Sequence, residues 1–94
     1  MIHTALTVAG SDPSGGAGIQ ADLKTFTSLD VYGMSVIAAV TAQNTLGVRD
    51  VMQIPAEFIG LQMDAVLTDI APAAMKTGML GTAAAVDIVA HKVR

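Results

Sequence analysis

The segment that most constrains this chain is an apolar strand pattern that runs directly into a glycine-rich loop. Ala5–Ala9 is apolar apart from one threonine and stops at Gly10, which predicts a buried strand. Residues 10–18 then contain four glycines, which allow backbone angles that other residues avoid. Because the first amides of a following helix point outward without partners, this order of elements predicts a site for an anion or a polar ligand.

The helix after this loop is indicated by the spacing of apolar residues. Ile19, Leu23 and Phe26 recur at three- and four-residue intervals, so we expect a helix over residues 16–29. Ser14 is the best candidate for its N-terminal cap, since a serine hydroxyl can accept a hydrogen bond from an exposed amide of the first turn.

Later apolar segments continue the alternation of strands and helices. Strands are predicted over residues 34–42, 51–54 and 73–76, and helices are predicted to begin at Pro55 and after the capping residue Thr82. The predicted order is β-α-β-β-α-β-α. Strands that alternate with helices favour right-handed crossovers and a mostly parallel sheet, so the expected fold class is α/β and Rossmann-like.

Apolar residues recur at helical spacing in both of the last two helices. The helix that begins at Pro55 has apolar residues on several sides and is expected to pack against more than one neighbour. In the last helix, Val86, Val89, Ala90 and Val93 fall at i, i+3, i+4 and i+7, which is the spacing of one helical face.

Composition limits the classes of function open to the chain. Its 94 residues are 52% hydrophobic, which fits one small folded domain rather than a disordered chain. A formal net charge of −3, no basic run and 3% aromatic residues argue against a nucleic-acid partner. No apolar run is long enough for a bilayer and no secretory signal is visible, so we expect a cytoplasmic protein without a membrane partner. Cysteine is absent, and His3 and His91 are isolated, so no metal site is expected.

The glycine-rich loop partly matches two nucleotide-binding motifs, but each match lacks a residue that the motif requires. Residues 16–21 match G-x-G-x-x-A, but the acidic residue expected at the end of the next strand is missing from residues 36–40. Gly10 and Gly15 have the interval of a P-loop, but Gly16-Ala17 stands where a lysine and a serine or threonine are required. A site for a small polar heterocycle or alcohol remains.

Polar segments follow three of the predicted strands, at residues 11–18, at Gln43-Asn44 and at residues 76–79. Ligands of parallel sheets gather beyond the carboxyl ends of strands, so these segments are expected to converge on one site. Asp12 and Ser14 are candidates to surround a ligand there. Asp22 lies one turn into a largely apolar helix, and it either has a partner in this site or faces solvent.

Taken alone, each of these segments also has an ordinary structural explanation. Gln43-Asn44 would be a turn, Lys76 a surface lysine and Met79 a core residue.

Four blocks of the sequence resemble the hydroxymethylpyrimidine/phosphomethylpyrimidine kinases, in order and in spacing. The blocks are residues 9–25, 32–37, 41–45 and 76–80, and together they extend over essentially the whole chain. The family belongs to the ribokinase-like superfamily of three-layer α/β kinases. The resemblance implies ATP-dependent phosphorylation of 4-amino-5-hydroxymethyl-2-methylpyrimidine and then of its monophosphate in thiamine biosynthesis, with ATP and Mg²⁺ as cofactors.

The resemblance also implies which residues bind the substrate. Gln43 matches the position, glutamate or glutamine in the family, that hydrogen-bonds the pyrimidine, and a carboxamide can donate to a ring nitrogen while accepting from an exocyclic amine. Gly10, Ala17 and Met79 match residues that line the pocket, and Asp22 is a neighbour of it.

No catalytic residue is expected within this chain. Family members are more than twice as long, and their anion hole, catalytic base and adenine site lie in the C-terminal half. Residues 1–94 are therefore interpreted as the N-terminal, substrate-side part of a ribokinase-like kinase domain without its ATP-binding half. By itself the chain is expected to be inactive, and its expected partners are a small-molecule substrate and either a second copy or the missing half.

Two other functions stay open on the sequence. A pyridoxal or pyridoxine kinase would use the same superfamily and a similar hydroxymethyl heterocycle. The other alternative is a non-catalytic fragment that binds substrate or associates with itself through an unpaired sheet edge.

Overall fold

A computed structural model describes residues 2–93 of the chain as one four-stranded sheet with helices on both faces; Met1 and Arg94, the ends of the expected 1–94 unit, lie outside the described residues. The order of elements confirms the predicted β-α-β-β-α-β-α pattern. The elements are β1 (His3–Gly10), α1 (Gly18–Ser28), β2 (Val31–Asn44), β3 (Gly47–Gln53), α2 (Ala56–Leu67), β4 (Ala74–Thr77) and α3 (Ala83–Lys92).

β1 lies inside the sheet, whose strand order is β3-β2-β1-β4. It pairs in parallel with β2 on one side and with β4 on the other, whereas β3 pairs with β2 in the antiparallel direction. Thr7 of β1 therefore stands between Ser35 and Lys76 in register. The carboxyl ends of β1, β2 and β4 meet at one edge, as expected for the mostly parallel sheet that the sequence predicted.

The alternating side chains of β1 separate the two faces of the sheet. Leu6 and Val8 are fully buried in a core cluster, which also contains Ile59 and Met63 of α2. On the opposite face, Thr7 reaches α1, where its hydroxyl donates to Asp22. Helix, sheet and helices therefore form three layers, and β1 supplies side chains to both interfaces.

β2 and β3 are longer than the sequence predicted. β2 runs over Val31–Asn44 instead of 34–42, and β3 over Gly47–Gln53 instead of 51–54. These ends are defined by pairing between strands, because Val31 pairs with His3 of β1 and Gly47 pairs with Asn44 across the turn. Local apolar patterning carries no signal for such backbone pairing.

A side-chain amide binds the backbone of β2 beside an irregularity in its pairing with β1. The register against β1 skips Ala38, and the neighbouring Ile37 donates its N–H to Gln62 Oε1 at 2.9 Å and accepts from Gln62 Nε2 at 2.9 Å. Both polar groups of Ile37 are thus satisfied by α2, which fixes the helix against the strand.

The predicted caps of the helices had different outcomes. Ser14 as the cap of α1 was wrong, because α1 begins at Gly18 after Ala17 and has no side-chain cap. Thr82 was confirmed, since its hydroxyl oxygen accepts from the N–H of Ala85 at 3.1 Å. Pro55 directly precedes α2 and stands at its N-cap, one position earlier than predicted.

Helix α2 packs against both β2 and α3, as its broad apolar surface predicted. Gly60 makes the helix contact close, because a Cβ there would lie 3.0 Å from a side-chain carbon of Ile88. Phe58 and Leu61 lie outside these contacts and are 53% and 60% exposed.

The apolar stripe of α3 is buried only at Val89. Ala85 and Val89 are buried, whereas Val86 and Val93 are about half exposed. The helix is apolar on nearly all sides, so spacing alone does not separate the buried face from the exposed one.

Within residues 2–93, no helix combines the length and apolar character needed to cross a membrane.

Candidate functional site

A cavity of about 210 Å³ lies at the edge where the carboxyl ends of β1, β2 and β4 meet. It receives residues from all three polar segments that the sequence analysis expected to converge. The lining residues are Ala9, Gly10, Ser11, Asp12, Ala17, Gly18, Thr41, Gln43, Lys76, Gly78 and Met79.

Four of the five predicted site residues line this cavity. Gly10, Ala17, Gln43 and Met79 form parts of its wall, although they come from three separate segments of the sequence. Asp22 is not a lining residue, and it contacts the cavity only through Lys76. What these residues bind stays a prediction.

Gly18 allows the loop to close over the end of β1. Gly18 has a φ of +61°, and a Cβ there would lie 2.5 Å from the Gly10 carbonyl oxygen. A Cβ at Gly10 would lie 3.8 Å from the terminal methyl carbon of Met79 and would therefore reduce the cavity. The loop closes here because Gly18 lacks a side chain.

Asp12 organises the loop instead of leaving its carboxylate free for a ligand. It is 3% exposed, and its oxygens accept from the Ser14 hydroxyl at 2.7 Å and from the amides of Ser14, Gly16 and Ala17 at 2.9 to 3.1 Å. The hydrogen bond from the Ser14 hydroxyl, with those from the amides, outweighs desolvation and lowers the pKa of Asp12 below its ordinary value. The amides that Ser14 was expected to cap are thus taken by a carboxylate two residues earlier.

Asp22 has partners on two strands, so the alternative that it faces solvent is excluded. Its carboxylate accepts from the Thr7 hydroxyl at 2.7 Å, and its two oxygens accept from Lys76 Nζ at 2.8 and 3.0 Å. Partial burial raises the pKa of Asp22, but the hydrogen bonds from Lys76 and Thr7 and the lysine's charge outweigh it, so the pKa is lowered overall. Lys76 is therefore an ion-pair partner and not a free surface lysine.

Thr41 is a lining residue that the sequence analysis did not single out. It is 8% exposed, and its hydroxyl lies 2.7 Å from the Ser11 carbonyl oxygen and 3.2 Å from Gln43 Oε1. The Thr41 N–H also donates to the Ser11 hydroxyl at 3.3 Å, and the Ser11 N–H donates to the Ala39 carbonyl at 2.8 Å. The end of β2 is thus joined to the first loop residue. The only sequence signal was its place in a polar segment, two residues before Gln43.

The cavity suits a small neutral heterocycle with polar edges. Met79 and Ala17 supply apolar contact, and Gln43 supplies one carboxamide that both donates and accepts. Asp12 and Lys76, the ionisable lining residues, are each bound to other groups of the protein. In the described part of the chain, no three His, Asp or Glu residues are grouped so that they could hold a metal ion, so these residues do not fit a Mg²⁺ site.

A family model and several known proteins are similar to this chain in sequence. The family model described as phosphomethylpyrimidine kinase matches residues 12–94. A hydroxymethylpyrimidine/phosphomethylpyrimidine kinase of Bacillus subtilis is 59% identical over 92 residues, which cover 98% of this chain and 34% of the relative. The protein of the same description from Escherichia coli is 52% identical over 90 residues, which cover 96% of this chain and 34% of the relative. The chain thus spans about a third of the length of these curated relatives.

Solved structures agree with the fold. A crystal structure of phosphomethylpyrimidine kinase from Clostridium difficile matches with a TM-score of 0.93 and 49% identity, over 97% of this chain and 39% of that one. A pyridoxal kinase from Staphylococcus aureus, in complex with AMP-PCP and pyridoxal, matches with a TM-score of 0.88 and 39% identity, over 99% of this chain and 35% of that one. These matches confirm the ribokinase-like α/β fold class. With a family model that matches all but its first 11 residues, the chain belongs to the phosphomethylpyrimidine kinase family.

Proposed function

We propose that the protein containing this chain transfers a phosphoryl group from ATP to 4-amino-5-hydroxymethyl-2-methylpyrimidine and then to its monophosphate, in the cytoplasm, as a step of thiamine biosynthesis. The observation that carries the proposal is the convergence of Gly10, Ala17, Gln43 and Met79 on one cavity at the strand ends. The names and 52–59% identities of the relatives support the same substrate.

The part of residues 1–94 in this reaction is to hold the substrate. Gln43 binds the polar edge of the aminopyrimidine, while Met79 and Ala17 contact the ring and Gly10 leaves room for it. A ring held on both faces and along one edge presents its hydroxymethyl group in one direction, which is the positioning that phosphoryl transfer needs.

ATP and Mg²⁺ are proposed to be held by other parts of the complete protein. The described residues do not fit a Mg²⁺ site, and the chain spans about a third of its curated relatives. Pyridoxal kinases that match this chain were solved with AMP-PCP or ADP, which supports ATP as the phosphoryl donor. Residues 1–94 therefore supply no catalytic base in this proposal.

Isothermal titration calorimetry of the 94-residue chain with the aminopyrimidine tests the proposed binding role. We expect Gln43→Ala to weaken binding about tenfold, because a buried hydrogen-bonding edge of the ligand loses its partner. Asn44→Ala is the matched control, since Asn44 is exposed and does not line the cavity. Equal affinities of the Gln43→Ala and unchanged chains would contradict the proposed role of Gln43. An ATP-turnover assay of the same chain is expected to be negative. Turnover would contradict the proposal that ATP is held by other parts of the complete protein.

Pyridoxal is the second candidate substrate. Staphylococcus aureus pyridoxal kinase in complex with pyridoxal matches with a TM-score of 0.88 at 39% identity, so the same fold holds a second hydroxymethyl heterocycle in that protein. Competition between pyridoxal and the aminopyrimidine for the chain separates the two. Tighter binding of pyridoxal would favour the second candidate.

A further inference from the structure

Thr41 contacts both the loop and the ligand-facing carboxamide through one hydroxyl group. Thr41 and Gln43 are two residues apart on β2, so their side chains share the face that lines the cavity. The Thr41 oxygen lies 2.7 Å from the Ser11 carbonyl oxygen and 3.2 Å from Gln43 Oε1. The residue as a whole is 8% exposed.

A hydroxyl group has only one proton to donate, and both of its neighbours in this arrangement are oxygens. The carbonyl of Ser11 can only accept, and it is the nearer of the two. Ser11 is itself held by the Ala39 carbonyl and by the Thr41 N–H, so its carbonyl has little freedom to turn away. The proton of Thr41 therefore goes to Ser11, and the lone pairs of the hydroxyl face the carboxamide.

Turning the Gln43 carboxamide by about 180° about its last bond exchanges its oxygen and nitrogen at almost no change in shape. Nε2 then donates to the Thr41 hydroxyl, which has a lone pair available, and Oε1 takes the place that Nε2 had. The turn replaces a contact between two oxygens with a hydrogen bond.

We infer that Thr41 is a specificity-determining positioning residue, which orients the Gln43 carboxamide so that it reads one order of hydrogen-bond donor and acceptor on the ligand edge. With Nε2 held by Thr41, Oε1 and the second N–H of Nε2 form the edge that faces the ligand. This edge is complementary to an amine next to an unprotonated ring nitrogen. The inference rests on the proposed function and adds the residue that selects this edge.

Two ligands with opposite edges provide the test. The aminopyrimidine has an amine donor beside a ring-nitrogen acceptor, whereas its 4-oxo analogue has a carbonyl acceptor beside a ring N–H donor. We expect the unchanged chain to prefer the amino compound, and Thr41→Val to reduce the ratio of the two affinities about tenfold, because valine leaves the carboxamide free to turn. Thr41→Ser keeps the hydroxyl and is expected to keep the ratio.

The variants separate orientation from a general loss of structure. If the role of Thr41 were purely structural, Thr41→Val would weaken the binding of both ligands equally. The ratio of the two affinities would then stay unchanged, and this result would overturn the inference. Failure of the unchanged chain to bind either ligand would instead contradict the proposed function.

A second measurement needs no ligand. Nuclear Overhauser effects between the Gln43 side-chain NH₂ protons and the side chain at position 41 are expected in the free chain and in Thr41→Ser. Their absence in a chain whose other Thr41 signals are native would overturn the inference, whatever the chain binds.

Discussion

At the scale of single residues, most polar groups around the cavity are bound to one another. Asp12 binds the loop amides and Asp22 binds Thr7 and Lys76, so neither carboxylate is free to act as a base. Among the lining side chains, Gln43 keeps its Nε2 group and Ser11 its hydroxyl proton for a polar partner. The shape of the glycine-rich loop, and not its charge, therefore decides what this part of the cavity admits.

Gly18 is the loop residue whose substitution is expected to have the largest effect. Gly18→Ala would destabilise the chain by at least about 2 kcal/mol, because its positive φ is strained for alanine and the new Cβ would meet the Gly10 carbonyl. Gly16→Ala is the matched control, since its Cβ would lie 3.9 Å from the nearest atom, an Asp12 carboxylate oxygen, and a change within about 0.5 kcal/mol is expected. Urea denaturation measures both. Equal stabilities of the two variants would contradict this account of the loop.

At the scale of elements, one carboxylate joins α1 to two strands. Asp22 lies on α1, Thr7 on β1 and Lys76 on β4, and the register places Thr7 directly beside Lys76. β4 is an edge strand that pairs with β1 alone, and its four residues are all exposed. The ion pair therefore helps to attach the edge strand that carries one side of the cavity.

Removal of the lysine is expected to raise the pKa of Asp22. In Lys76→Met, partial burial remains while the charge and two hydrogen bonds are lost, so the charged carboxylate becomes less favourable. In the unchanged chain the pKa of Asp22 lies below its ordinary value of 3.8, so the stability that it contributes is present above that pH and is lost as the pH falls through the lowered pKa. In Lys76→Met the stability lost over this pH range should be smaller, because the pKa of Asp22 in the folded chain is no longer lowered by the lysine.

An NMR titration of the Asp22 carboxyl carbon measures this shift directly. Lys92→Met is the matched control, because Lys92 pairs with Asp64 at 2.9 Å and touches no part of the Asp22 network. An unchanged Asp22 pKa in Lys76→Met would show that the ion pair has no energetic role.

At the scale of the whole molecule, much apolar surface stays uncovered. Phe58 and Leu61 lie three residues apart on α2, both more than half exposed, and β3 and β4 are the two edges of the sheet. Exposed apolar patches and unpaired strand edges both favour association. We therefore expect the chain to associate with itself as its concentration rises.

Charged residues on α2 are expected to reduce this association. The double variant Phe58→Glu, Leu61→Lys removes apolar surface that makes no contact with the core, so its stability should change by less than about 0.5 kcal/mol. Sedimentation velocity over a concentration series measures the effect. Leu46→Lys, at a 93% exposed turn position away from α2, is the control and should associate like the unchanged chain. Association that survives in the double variant would exclude α2 as the contact.

Several features of the fold and site were predictable because their signals are local. The order of elements follows from apolar periodicity, and the Thr82 cap follows from one hydroxyl beside one helix start. The place of the cavity follows from polar residues after parallel strands. The Ser14 cap failed because a carboxylate, Asp12, competes for the same amides and binds them more strongly.

The sequence by itself determined the strand and helix order, the glycine-rich loop and the convergence of the polar segments at residues 11–18, 43–44 and 76–79, because periodicity, glycine placement and the direction of parallel strands are all encoded locally. Only the tertiary structure decided which partners these groups meet. Thr41 binds Ser11 across 30 residues, and Lys76 binds Asp22 across 54. Such contacts depend on strand register and on the seating of a helix on the sheet, which arise from packing of the whole chain and leave no pattern in any short segment.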